Sequence, residues 1–102
     1  MVVDATPAVD RPVTRDVELT LYTSAFCEPC MQTRAVLAEA ARIVPSLRVV
    51  ERDVARESER AENDDIHSTP TVIVNGADGS EVFRAVGVPT LNQVLVAAAR
   101  AL

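Results

Sequence analysis

Val17-Glu18-Leu19-Thr20-Leu21-Tyr22-Thr23-Ser24-Ala25-Phe26-Cys27-Glu28-Pro29-Cys30 is the stretch on which the fold turns. Val17, Leu19 and Leu21 alternate with Glu18, Thr20 and Tyr22, the period-two pattern of a strand with one strongly apolar face. That strand runs toward Cys27. Beyond it the period changes: Met31, Val36, Leu37, Ala40, Ala41 and Val44 recur at near-helical spacing. Pro29 suits the first turn of such a helix, because its missing N–H would have no intrahelical partner there. The two cysteines therefore fall at a strand-to-helix junction, with Cys30 nearly one helical turn after Cys27.

Working outward, Pro45 stops the helix, since the residue before a proline avoids helical geometry. Leu47 to Val54 is rich in valine but carries Arg48, Glu51, Arg52 and Asp53, which predicts a second strand toward a sheet edge. Strand, helix and strand make a βαβ unit with parallel strands. Arg56 to Asp65 has little more than Ala55, Ala61 and Ile66 to pack, and predicts a short surface helix. Thr71-Val72-Ile73-Val74 reads as a strand buried on both faces. Asn75-Gly76 and Asp78-Gly79 then turn the chain into Glu81 to Val86, giving an antiparallel hairpin. Thr90 and Gln93 form a capping box ahead of a last helix whose apolar stripe is Leu91, Val94, Leu95, Ala98 and Leu102. Residues 1–16 show neither period and are read as a flexible N-terminal tail, leaving 17–102 as a single domain.

With 102 residues, 48% of them hydrophobic and 25% charged, the chain has the composition of one soluble globular unit. Its net charge is −5 and all ten basic residues are arginines. A nucleic-acid role is disfavoured, because phosphate binding needs a basic surface. Schiff-base chemistry is excluded, because there is no lysine. No apolar run approaches the roughly 18 residues that span a membrane, and the first residues lack the pattern of a secretory signal. A cytoplasmic address is the resulting expectation, and in a reducing cytosol a close cysteine pair reads as catalytic or metal-binding.

A sulfur at the start of a helix lies beside unpaired backbone N–H groups and the positive end of the helix dipole, which favours the thiolate. Cys27 is accordingly the nucleophile and Cys30 the resolving thiol of a dithiol exchange that needs no cofactor. Pro29 limits backbone freedom between the sulfurs, and Glu28 places a negative charge beside Cys27 that opposes the thiolate. A structural zinc site usually needs four ligands; His67 is the one further nitrogen or sulfur candidate and a second C-x-x-C is absent, so no metal is expected. His67 itself, in a charged loop, reads as solvated. The charged run from Glu51 to Glu62 reads first as a solvated face and second as a partner surface.

The order strand, Cys27-Glu28-Pro29-Cys30, helix, strand, short helix, Ser68-Thr69-Pro70-Thr71, hairpin, helix resembles the thioredoxin superfamily from Val17 to Leu102. The resemblance implies an α/β, three-layer thioredoxin-like fold, βαβ-(α)-ββα, with a mixed four-stranded sheet flanked by helices. It implies that Pro70 is a cis-proline facing the disulfide, that the Thr69 backbone pairs with a substrate strand, and that Gly87 borders the same groove. The implied activity is reduction of protein disulfides, by a monomer recycled by an external donor such as a thioredoxin reductase or a thiol pool, with neither a nucleic acid nor a membrane as partner. Thioredoxins proper usually have tryptophan before the first cysteine, glycine after it and a buried aspartate on the strand below, where this chain has Phe26, Glu28 and Leu21. Glutaredoxins share the short core, but their basic residue before the active-site loop and their Gly-Gly-x-Asp-like segment are not evident, and Val86-Gly87-Val88-Pro89 looks more like the thioredoxin pattern. The alternatives are a glutaredoxin-like protein or a non-catalytic binding module on the same scaffold, either metal-bound or partner-binding.

Overall fold

The computed structural model describes residues 16–102. The tail expected over 1–16 thus lies, apart from Asp16, outside the described residues. In chain order the elements are β1 (Val17–Thr23), α1 (Glu28–Ile43), β2 (Leu47–Asp53), α2 (Ser58–Asn63), β3 (Thr71–Asn75), β4 (Glu81–Val86) and α3 (Leu91–Ala101). Among the described residues the strands form one four-stranded sheet in the order β2-β1-β3-β4. β1 and β2 are parallel, with Val17 opposite Leu47 and Thr23 opposite Asp53. β3 runs antiparallel to β1, with Leu19 opposite Val74 and Leu21 opposite Val72, and β4 returns beside β3 as the second arm of a hairpin. This is the mixed sheet and element order expected from the sequence. Among the described residues no helix is long and apolar enough to cross a membrane.

Alternation along the strands decides which side chains meet which helices. Val17, Leu19 and Leu21 of β1, Leu47 of β2 and Val72 and Val74 of β3 join Leu37 and Ala40 of α1 and Val94, Ala97, Ala98 and Ala101 of α3 in one buried cluster. On the opposite face Tyr22, Ile73 and Ala61 of α2 make a second, small cluster, with Val54 and Ile66 packed at its edge. The helices thus sandwich the sheet. The capping box forms as expected: Gln93 N–H donates to Thr90 Oγ1 at 3.0 Å, and Thr90 N–H donates to Gln93 Oε1 at 2.9 Å.

Three features depart from the pattern reading. β1 is buried on both faces rather than one, with Tyr22 fully buried and Thr20 only 7% exposed, because an internal strand has α2 on its second side. Met31, read as part of the α1 stripe, is 63% exposed, because at 3.6 residues per turn it stands about 100° or more around the helix from the buried Cys30, Thr33, Leu37 and Ala40; Thr33 is fully buried instead and bonds back to the Pro29 carbonyl at 2.8 Å. Leu102 lies one residue past the end of α3 and is 70% exposed, so the stripe closes at Ala101.

Candidate functional site

Both chain crossings that matter for chemistry occur where β1 ends and where β3 begins. After Thr23 the chain leaves the sheet through Ser24, Ala25 and Phe26 and enters α1 with Cys27 as the N-cap residue. Cys27 has extended backbone geometry, and its sulfur accepts a hydrogen bond from the Cys30 N–H at 3.1 Å. A sulfur thus does at this helix what a serine or aspartate oxygen commonly does at others. Pro29 lies in the first turn, as its lack of an N–H predicts. Glu28 and Pro29 are both exposed.

Cys27 and Cys30 are joined by a disulfide with an S–S distance of 2.05 Å and a Cα–Cα separation of 5.1 Å. The two ends of that bond differ in access. Cys30 is 1% exposed beneath the helix start, whereas Cys27 is partly open and borders a shallow depression with Ser24, Phe26, Glu28, Met31 and Arg34. An incoming sulfur can reach Cys27 and not Cys30. Arg34, the one cation in this lining, is engaged elsewhere: its guanidinium donates twice to the Glu51 carboxylate, at 2.8 and 2.6 Å. The Arg34 hydrogen bond, opposed by partial burial and reinforced by Thr23, holds the Glu51 carboxyl below its ordinary range. Glu51 is therefore an anion committed to Arg34 and not a base for the thiols.

The second crossing is Ser68-Thr69-Pro70. The Thr69–Pro70 peptide bond is cis, and Pro70 is buried. Its neighbours are tied down: Thr71 Oγ1 donates to the Ser68 carbonyl at 2.7 Å, and Gly87 N–H donates to the Pro70 carbonyl at 2.8 Å. Gly87 adopts φ +95°, which an L side chain rarely takes, and this conformation turns its N–H toward Pro70. Thr69 and Pro70 are thereby brought to the same end of the sheet as Cys27, and Gly87 is linked to them by hydrogen bond. His67 is solvated, its side chain 86% exposed and its Nε2 3.8 Å from Asp65, at the edge of a depression it shares with Ser24, Ser68 and Thr69. Among the described residues no group of three or more His, Cys, Asp or Glu is placed to hold a metal ion.

Two features of the site went unread in the sequence. The Ser24 and Thr69 hydroxyls lie 2.6 Å apart, joining loops 45 positions distant in the chain. Phe26 has φ +56°, uncommon for a bulky residue, and its ring is fully exposed beside Cys27. No local pattern signals either; a serine before a helix reads as a cap, and here the cap is the cysteine. Leu21, where a buried acid stands in thioredoxins proper, is fully buried in the main apolar cluster, so no carboxylate lies at that position beneath the cysteines.

No family model matches the chain, and no curated protein does either. Solved structures do. A mutant thioredoxin from Halobacterium salinarum superposes with a TM-score of 0.76 at 23% identity, covering 85% of this chain and 75% of that one. Thioredoxin from Fasciola hepatica gives 0.75 at 20% identity, covering 86% and 83%. Thioredoxin-2 of the malaria parasite, described as a component of its protein secretion machinery, gives 0.76 at 13% identity, covering 83% and 82%. At these identities the likeness establishes the architecture, and this chain has the thioredoxin fold.

Proposed function

We propose that this protein is a thiol-disulfide oxidoreductase that reduces disulfides in other polypeptides through Cys27 and Cys30. The observation that carries the reading is the asymmetry of the pair. Cys27 is open to solvent and already receives the Cys30 N–H at the head of a helix, while Cys30 is sealed behind it. Once the disulfide is reduced, that N–H and the helix dipole remain to stabilise a Cys27 thiolate.

In the forward reaction the Cys27 thiolate attacks one sulfur of the substrate disulfide, forming a mixed disulfide and releasing the first substrate thiolate. Cys30 then gives up its proton to solvent or to the departing thiolate, attacks Cys27 Sγ, and expels the second substrate thiolate. Two electrons pass from the dithiol to the substrate, and the protein is left with the Cys27–Cys30 disulfide. An external dithiol or thiol pool must return them. The exposed negative charge of Glu28 disfavours the thiolate form and so favours the protein disulfide, which makes the protein a reductant of its partners. We assign it to a reducing compartment such as the cytoplasm, acting as a monomer.

The surface around Cys27 supports a polypeptide substrate. Phe26, Met31, Val86 and Val88 are exposed apolar residues on the loops and elements that meet at the site, with Val86 and Val88 flanking Gly87. Thr69 offers main-chain groups for β-type pairing with an extended segment, giving affinity with little dependence on sequence. Mixing Cys30→Ser with a disulfide-linked peptide should accumulate a one-to-one mixed disulfide on Cys27, visible by intact mass, and Cys27→Ser should accumulate none. Equal trapping by the two variants, or trapping by neither, contradicts the reading.

A further inference from the structure

We propose that Ser24 is a positioning residue for polypeptide substrates: its hydroxyl holds the Thr69 side chain so that the Thr69 main-chain N–H and C=O stay available to an incoming strand. The inference rests on the disulfide-exchange reading and adds a residue to it. Three bonds fix the segment that carries the cis peptide. The Ser68 carbonyl is taken by Thr71 Oγ1, the Pro70 carbonyl by the Gly87 N–H, and the Thr69 hydroxyl by Ser24 at 2.6 Å. Neither main-chain group of Thr69 takes part in the turn, loop or cap bonds among the described residues, and Thr69 lies outside the strands. In this segment it is the residue left with a donor and an acceptor to offer.

A free threonine hydroxyl competes for such groups. Threonine side chains readily bond their own or neighbouring backbone N–H and C=O, which would occupy the groups that a substrate strand needs. Ser24 removes that competition by engaging the hydroxyl from across the site. Its place suits the task, because Ser24 lines both the depression that holds Cys27 and the adjoining one formed by Val54, Ile66, His67, Ser68 and Thr69. The bond also fixes the spacing between the loop before Cys27 and the loop before Pro70. A substrate must span that spacing to present its sulfur to Cys27 while pairing with Thr69.

A small disulfide has no strand to pair, so it should not sense Ser24. The test compares two substrates with dithiothreitol as reductant, the uncatalysed rate being subtracted: a disulfide-linked peptide and bis(2-hydroxyethyl) disulfide, whose poor leaving thiol keeps the direct reaction slow. In Ser24→Ala, the ratio of peptide to small-disulfide efficiency should fall about 3-fold to 10-fold, the size of one hydrogen bond, and the loss should fall on KM for the peptide rather than on kcat. Ser24→Thr, which keeps the hydroxyl, should restore the ratio. Thr69→Val added to Ser24→Ala removes the competing hydroxyl, so the double variant should lose less than Ser24→Ala alone. An unchanged ratio in Ser24→Ala, or equal losses on the two substrates, overturns the role of Ser24 while leaving disulfide exchange standing. A wild-type protein that turns over neither substrate overturns both.

Discussion

On the α1 and α3 side of the sheet, twelve buried residues from three strands and two helices form one continuous apolar core. On the α2 side the buried apolar cluster is Tyr22, Ala61 and Ile73, and polar contacts surround it. Tyr22 donates to Asp64, Arg52 pairs with Glu57 at 2.7 Å, and Arg84 donates to the Asp64 carbonyl at 2.8 Å. Burial of apolar area supplies most of the folding free energy. The first face therefore holds the fold together. The second face and the loops at the strand ends are left free to carry groups that contribute little to stability, including an exposed aromatic at positive φ and a reactive disulfide.

This contrast can be broken most sharply with a cavity on each side. Leu37→Ala, in the middle of the main core, should cost toward the upper end of about 2–5 kcal/mol in denaturant unfolding, whereas Ile73→Ala, the same-sized truncation on the other face, should cost toward the lower end of that range. Comparable losses would show that the two faces contribute alike. The next effect concerns the polar face. Burial and the hydrogen bond to Asp64 push the Tyr22 hydroxyl up to about 12. An unfolded tyrosine releases its proton near pH 10, so between pH 10 and about 12 the folded chain binds the extra proton and stability falls as pH rises. Below pH 10 this group contributes no slope. The chain has a single tyrosine and no lysine, so in the oxidised protein Tyr22 dominates this limb. The loss should amount to about 2 kcal/mol across the window, and Tyr22→Phe should flatten it; the same limb in the variant would refute the assignment.

A smaller effect of opposite sign is expected at Phe26. Relief of its positive φ should outweigh the entropy that glycine adds to the unfolded chain, so Phe26→Gly should gain about 1 kcal/mol in thermal or denaturant unfolding. The same substitution removes an apolar contact beside Cys27 and should raise KM for a peptide disulfide. A variant that loses stability would show that the exposed ring is held for structural reasons.

Much of this was legible in the sequence because it rests on periodicity and punctuation. The alternation of Val17, Leu19 and Leu21, the helical spacing through Leu37 and Ala40, the stop at Pro45, the turn glycines and the Thr90–Gln93 box all act locally, and all occur where expected. Cys27 and Cys30 were legible for the same reason, being fixed by their place in one turn. What failed to show depends on partners distant in the chain. Tyr22 occupies an outward position by alternation, and only the arrival of α2 and Asp64 buries it. Ser24 and Thr69 are ordinary polar loop residues until the fold brings them to 2.6 Å. Met31 falls on the far side of α1 from the buried Cys30, Thr33, Leu37 and Ala40, and Leu102 fits the α3 stripe but lies just past the end of the helix.

The most direct test is the redox equilibrium of the cysteine pair. The oxidised and reduced protein would be equilibrated across a graded glutathione buffer, trapped by alkylation and resolved by mass. A single cooperative two-electron transition, with both cysteines alkylated or neither, and a midpoint nearer thioredoxin's roughly −270 mV than the roughly −120 mV of a strong oxidant, is the expected result. Thiols that never pair, or that alkylate independently of one another across the whole series, would contradict disulfide exchange by this protein.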